Sequence, residues 1–208
     1  MRGRLHTSRA ALAAAGLAAA ALVAASPAGA ATTGKDPCGN TVTFVQPFLG
    51  WQDSDVYVLG PGGSFEPGTP SWTLAGGASI AAGNEPWKVG GSTNGYALSL
   101  PSGANATSRT MCVDASYPTL RFFLQNTGSP ASTLRLDVMF RKQDGSQKVF
   151  TVGHFSGSST WAPTPVTFFN PLANGCSTAT VLVNFRLTVE GAGSWKVDDL
   201  YVDPVKHR

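Results

Sequence analysis

The chain has 208 residues, of which 42% are hydrophobic and 13% charged, and its formal net charge is +3. That composition excludes a disordered polyelectrolyte and a multipass membrane protein. The 24 glycines and 14 prolines, together about 18% of the chain, predict many turns rather than long helices.

Taken in chain order, residues 1–30 read as an export signal. A basic start (Arg2, Arg4, Arg9) precedes an apolar run from Ala10 to Ala25 and the small-residue end Ala28-Gly29-Ala30, which is the pattern of a Sec-type signal peptide. The run falls short of the roughly 20 residues that a membrane-spanning helix needs, so release from the cell is expected rather than stable membrane insertion. Without Arg2, Arg4 and Arg9, the remaining 12 Lys plus Arg balance 12 Asp plus Glu. A neutral chain with no clustered basic stripe gives nucleic acid little electrostatic footing. Residues 31–208 are expected to form one secreted domain, monomeric in solution.

Beyond residue 31 the recurring pattern is period-two alternation, the mark of half-buried strands. It predicts strands at about 42–48, 56–59, 72–75, 97–100, 120–125, 134–141, 149–152, 166–169, 181–190 and 195–202. Between them stand the turn signals Pro61-Gly62-Gly63, Asn94-Gly95, Asn126-Thr127-Gly128, Asp144-Gly145 and Asn174-Gly175. Asp144-Gly145, set between two strand-like runs, is the clearest hairpin. Roughly ten short strands without sustained helical periodicity predict an all-β fold, an antiparallel β-sandwich of the jelly-roll kind.

Cys38, Cys112 and Cys176 allow three disulfide pairings in an oxidising compartment. Cys38 with Cys112 is favoured, because Cys112 lies in the strand-like stretch 109–113 while Cys176 sits in a turn. The wide spacings, with only His154 and His207 after the signal, speak against a zinc site. Nucleophile elbows, metalloprotease helices, phosphate loops and dinucleotide fingerprints are absent. The acids Asp53, Asp55, Glu66, Asp198 and Asp199 exist, but their spacing specifies no glycosidase pair. The expectation is a non-enzyme.

Gly62-Gly63-Ser64-Phe65-Glu66-Pro67-Gly68 followed by Trp72, and Trp195-Lys196-Val197-Asp198-Asp199-Leu200-Tyr201-Val202, resemble the opening and closing strands of jelly-roll carbohydrate-binding modules of the galactose-binding-domain-like superfamily. The resemblance implies a structural calcium ion held by Glu66 and one of Asp198 or Asp199, with backbone carbonyls near Ser64. Calcium takes six to eight hard oxygen ligands, and two carboxylates offset its charge. The other reading makes Glu66 a solvated turn residue and the Asp pair a strand bulge.

From Cys38 to Pro204 the chain also resembles a group of uncharacterised secreted actinobacterial proteins. The pieces that carry this are Gly60-Pro61-Gly62-Gly63, Gly83-Asn84-Glu85-Pro86, Thr110-Met111-Cys112-Val113, Leu120-Arg121-Phe122-Phe123 and Asp198-Asp199-Leu200-Tyr201-Val202-Asp203-Pro204. That likeness implies no activity.

Pyranose rings stack on Trp and Tyr faces beside a few polar partners. Trp72 shares a strand face with Leu74, and Trp195 with Val197, which predicts core positions. Trp51, Trp87, Tyr96 and Trp161 lie in loop-like segments and are the candidates for sugar stacking. On the outward face of the middle strands, Arg121, Phe123, Asp137, Asn184 and Arg186 would form a shallow polar groove with one exposed ring. The competing reading is a solvated sheet face with charges paired across strands. The expected function is carbohydrate binding, for a polysaccharide or cell-wall glycan partner. The alternative is an extracellular structural or interaction protein with no small-molecule ligand.

Overall fold

The computed structural model describes residues 31–68, 72–141, 145–170 and 180–204. The expected signal peptide, Cys176, Asp144 and the turn Asn174-Gly175 lie outside the described residues. Two antiparallel sheets face each other, with fifteen strands among the described residues and no α-helix.

The larger, nine-stranded sheet runs β1 (Thr32–Lys35), β2 (Thr41–Val45), β3 (Tyr57–Leu59), β15 (Trp195–Asp203), β6 (Tyr96–Leu100), β5 (Ser79–Ala82). β9 (Thr119–Asn126) pairs with β15 and carries the short strands β12 (Ala162–Pro163) and β13 (Thr167–Phe168). The six-stranded sheet runs β11 (Gln147–Phe155), β10 (Thr133–Arg141), β14 (Val181–Glu190), β7 (Asn105–Ser108), β4 (Trp72–Ala75), with β8 (Met111–Val113) also on β14. β10 and β11 form the expected hairpin across Gly145, with Arg141 opposite Gln147.

Alternation assigns the inner faces. Leu120, Phe122 and Leu124 of β9 meet Leu134, Leu136, Val138 and Phe140 of β10 and Val183, Phe185 and Leu187 of β14 in one buried core. Each such side chain contributes about 1.5–3 kcal/mol by leaving water. Trp195 is fully buried and donates its indole N–H to Ser132 Oγ at 3.1 Å, while Trp72 is half-buried at the core edge. Cys38 and Cys112 form the disulfide, with Cα atoms 6.0 Å apart. It ties the β1–β2 end to β8 across 74 residues of sequence, which in the chain-entropy account is worth about 4.5 kcal/mol.

Beyond the ten expected strands and the strand-like stretch 109–113, which becomes β8, four more form: β1, β5, β7 and β12. Thr32–Lys35 and Asn105–Ser108 are built from small or polar residues, Ser79–Ala82 has Ile80 as its one large apolar side chain, and β12 is two residues long. None carries apolar alternation, so their pairing follows from neighbours rather than from their own pattern.

β15 changes partner midway. Trp195–Val197 pair with β6, whereas Tyr201 and Val202 pair with β3. Between them the register on β9 shifts, and Asp199 takes a left-handed φ of 49°. A non-glycine residue held there costs about 1 kcal/mol or more. The turn at residues 60–63 closes the gap, because Gly60 N–H donates to Leu200 O (2.8 Å) and Leu200 N–H to Gly63 O (3.1 Å). A Cβ on Gly63 would stand 2.6 Å from Leu200 O, so only glycine fits this approach.

Candidate functional site

The outer face of the larger sheet carries a second apolar cluster. Arg121 and Phe123 project outward from β9, beside Tyr57 of β3 and Tyr201 of β15. The segment between β2 and β3, which contains one 3₁₀ turn at Leu49–Trp51, folds back over them. Phe48 lies 5.0 Å from Tyr57 and 5.9 Å from Tyr201, both edge-on, and stacks on Phe123 at 5.4 Å. Trp51 meets Trp87 edge-on at 4.8 Å and Phe123 at 5.2 Å, and Trp161 packs on the same cluster. Phe123 is therefore fully buried and is not the exposed ring expected from alternation. Trp51, Trp87 and Trp161 are half-buried around it.

Beside Trp51 opens a depression of about 380 Å³ lined by Gln52, Asp53, Ser54, Asp55, Arg121 and Val166. Arg121 donates from Nε to Thr164 O at 2.9 Å and from Nη1 to Asp53 Oδ2 at 2.6 Å, with its guanidinium 4.4 Å above the Phe48 ring. Of its five N–H donors, these two bonds leave three. Tyr57 donates its hydroxyl to Asp53 Oδ2 at 2.8 Å. Burial and the Asp53 carboxylate hold that phenol well above its usual pKa, so it stays protonated. The wall thus offers fixed donors and acceptors next to an aromatic edge.

Asp137 and Arg186 belong to the other sheet. They stand on the outer face of β10 and β14, so the single groove expected to join them to Arg121 and Phe123 does not form. Asp137 is 1% exposed and accepts bonds from Arg186 Nη2 (2.7 Å), Arg135 Nε (3.3 Å) and Thr151 Oγ1 (2.8 Å). Burial pushes its carboxyl up, but the bonds from Arg186 and Thr151 and the charge of Arg135 outweigh that and hold it below the usual value. Asn184 spends its amide on Ser108 O, and His154 lies 3.4 Å from Glu190. This is the charge-paired face of the competing reading.

A group of acids gathers at the partner change in β15. Asp198 and Asp199 are fully buried, and so is Glu85, which drew no notice as a site residue in the sequence. Glu85 accepts the amides of Trp87 (Oε2, 2.6 Å) and Val89 (Oε1, 2.6 Å). Asp198 Oδ2 accepts the Glu85 amide, and Asp199 Oδ2 the Gly90 amide, each at 3.1 Å. The loop that carries Trp87 is thus stitched to the bulge. A Cβ on Gly90 would strike the Asp199 carboxylate. The sequence signal for Glu85 was an acid inside the turn Gly83-Asn84-Glu85-Pro86, where a carboxylate bonds amides two and four residues ahead.

Glu66 Oε1 accepts the amides of Gly95 and Tyr96 at 2.8 and 3.1 Å. Asp199 Oδ1 is buried with no hydrogen-bond partner. Burial, then the neighbouring carboxylates, push both Asp198 and Asp199 well above the ordinary value of 3.8. Among the described residues, no Lys, Arg or His pairs with Glu85, Asp198 or Asp199. Nor do three His, Cys, Asp or Glu among them converge as a metal-holding group. Tyr96, 39% exposed, starts β6 on the same side as Leu98 and Leu100 and makes no ring contact with the tryptophans. Among the described residues no helix is long and apolar enough to cross a membrane.

No family model matches the chain, and no curated protein matches it. Among solved structures it is similar to the C-terminal family 22 carbohydrate-binding module of Clostridium thermocellum Xyn10B, at 13% identity and a TM-score of 0.47 over 70% of this chain and 93% of that one. It is similar to TmCBM61, solved with beta-1,4-galactotriose, at 15% identity and a TM-score of 0.36 over 68% and 91%. A third likeness is to the CBM22-1-GH10 modules of Clostridium thermocellum Xyn10B with xylohexaose, at 12% identity and a TM-score of 0.46 over 64% of this chain. The chain spans 26% of that protein's length.

Proposed function

We propose that the protein is an exported, non-catalytic β-sandwich that binds polysaccharide on the outer face of its larger sheet. The observation that carries this reading is the gathering of Trp51, Trp87 and Trp161, with Trp51 and Arg121 both lining one depression. Sugar rings take stacking from such rings and hydrogen bonds from such neighbours. The Cys38–Cys112 disulfide fits an oxidising compartment outside the cytosol. Against hydrolysis, the acids that converge (Glu85, Asp198 and Asp199) are fully buried and out of reach of a sugar, and Asp53 is held by Arg121 and Tyr57. Tryptophan fluorescence titrated with a polysaccharide panel tests the reading. A saturable change is expected, weakened at least tenfold in Trp51→Ala by loss of one stacked ring. No response to any polysaccharide supports the interaction-protein alternative.

A structural calcium ion is proposed at the acidic group, with Asp199 and Glu66 as side-chain ligands beside Asp198. The unpartnered Asp199 Oδ1 supports it, as does a buried cluster of like charge. Because the side chains alone supply few free oxygens, backbone carbonyls must complete the shell. Calcium should raise the melting temperature over a chelator, and Asp199→Asn should abolish the difference. An unchanged melting temperature refutes the site.

A further inference from the structure

The loop between β5 and β6, residues 83–95, carries Trp87 to the aromatic cluster, and carboxylates hold it there. Its neck is closed by the Gly83 N–H, which donates to Gly95 O at 2.9 Å. Between residues 85 and 90, four backbone N–H groups donate to carboxylates: those of Trp87 and Val89 to Glu85, that of Glu85 to Asp198, and that of Gly90 to Asp199. Glu85 is the hub. Its Oε2 takes the Trp87 amide and its Oε1 the Val89 amide, each at 2.6 Å, and Asn84 Nδ2 adds a longer bond to Oε1 at 3.3 Å. Such bonds to a carboxylate are stronger than bonds to a neutral oxygen. Both residues whose amides Glu85 accepts also send their side chains into the second apolar cluster.

That coincidence connects the carboxylate to the depression. The Trp87 ring stands edge-on to Trp51 at 4.8 Å, with 88° between the planes, and 5.6 Å from Phe123. Trp51 itself meets two rings, Trp87 and, at 5.2 Å, Phe123. Phe123 is fixed within β9, whereas Trp87 rides on the loop, so one of the two rings that place Trp51 depends on Glu85. Lys88, between the two accepted amides, sits at a left-handed φ of 53°, which a non-glycine residue keeps only where its surroundings enforce it. A glutamine at 85 would preserve the shape and lose the geometry. It has one oxygen for two N–H donors and turns its NH2 toward one of them.

Resting on the polysaccharide reading above for its ligand, we propose that Glu85 is a positioning residue: its two carboxylate oxygens set the Trp87 ring, and through it the Trp51 ring that lines the depression. Circular dichroism tests it, because two edge-on indoles 4.8 Å apart couple into one exciton band. Trp87→Phe should remove that band and so identify it. Glu85→Gln should also lose it while still unfolding in one transition; a merely stabilising role would lower the melting temperature and leave the folded-state band as in the parent. Isothermal titration with soluble arabinoxylan, mixed-linkage glucan and galactan should show at least one polymer bound by the parent and about tenfold weaker in Glu85→Gln. If the band persists in Glu85→Gln, or affinity is unchanged despite its loss, the inference is overturned and the polysaccharide reading stands on its own test. If no polymer binds the parent and the band is lost, the polysaccharide reading falls and the placement of the rings by Glu85 holds. Where Glu85→Gln does not fold, hydrogen exchange of the parent decides. The Trp87 and Val89 amides should exchange at least ~100-fold slower than in a free peptide, and free-peptide rates there overturn the inference.

Discussion

The two outer faces of this sandwich handle polar and aromatic residues in opposite ways. On the smaller sheet, Arg135, Asp137, Arg186 and Glu190 satisfy one another across β10 and β14, with Asp137 buried beneath its partly exposed partners. On the larger sheet, the segment between β2 and β3 folds over the strands, and Phe48, Phe123, Tyr57 and Tyr201 become a second core with half-buried tryptophans around it. Arg121 lies within that cover and keeps donors unspent. A face whose charges are mutually satisfied has little left for a ligand, whereas one that is partly covered by aromatic rings exposes both edges and donors.

The largest test of this contrast is Phe123→Ala. As an outward residue it should behave as core, costing about 3–5 kcal/mol in denaturant unfolding; a cost under about 1 kcal/mol would mean that the loop does not cover the face. Next comes Asp137→Ala, which strands Arg186 and leaves Arg135 only its Glu190 partner, and should cost about 1–3 kcal/mol.

The pH dependences should have opposite signs. Asp137 has a lowered carboxyl value, so its contribution is complete above the ordinary 3.8 and is lost as pH falls through the lowered folded value. Asp198 and Asp199 have raised values, so in chelator their contribution is complete below 3.8 and drains as pH rises through the raised folded values. Melting curves across the acid and neutral range should therefore lose the acid limb in Asp137→Asn and the alkaline limb in Asp199→Asn. Saturating calcium should flatten the alkaline limb alone. The smallest effect belongs to Leu182→Ala on the solvated face, within about 0.5 kcal/mol of the parent.

Much of the frame was legible in the sequence. Leu134 to Phe140 and Val181 to Val189 announce their inner faces by alternation, and β4 occupies its expected residues. Trp195 is core, and Cys38 pairs with Cys112. Alternation tells which residues share a face of one strand. It does not tell which sheet that strand joins: Arg121 and Asp137 both face outward, yet they lie on different sheets. Nor does it tell what covers a face, and Phe123 is buried by Phe48, Trp51 and Trp87 from segments far away in the chain. The Asp198-Asp199 pair was visible both as a bulge and as an acidic site. Its partner Glu85 was not, because 113 residues separate Glu85 from Asp198 and only the change of partner along β15 brings them together.

The central claim is that the ligand face is the covered one. Isothermal titration of one neutral polysaccharide against the parent, Trp51→Ala and Leu182→Ala tests it directly. The account predicts that binding falls at least tenfold in Trp51→Ala and matches the parent in Leu182→Ala; loss of binding in Leu182→Ala with Trp51→Ala unaffected would contradict it.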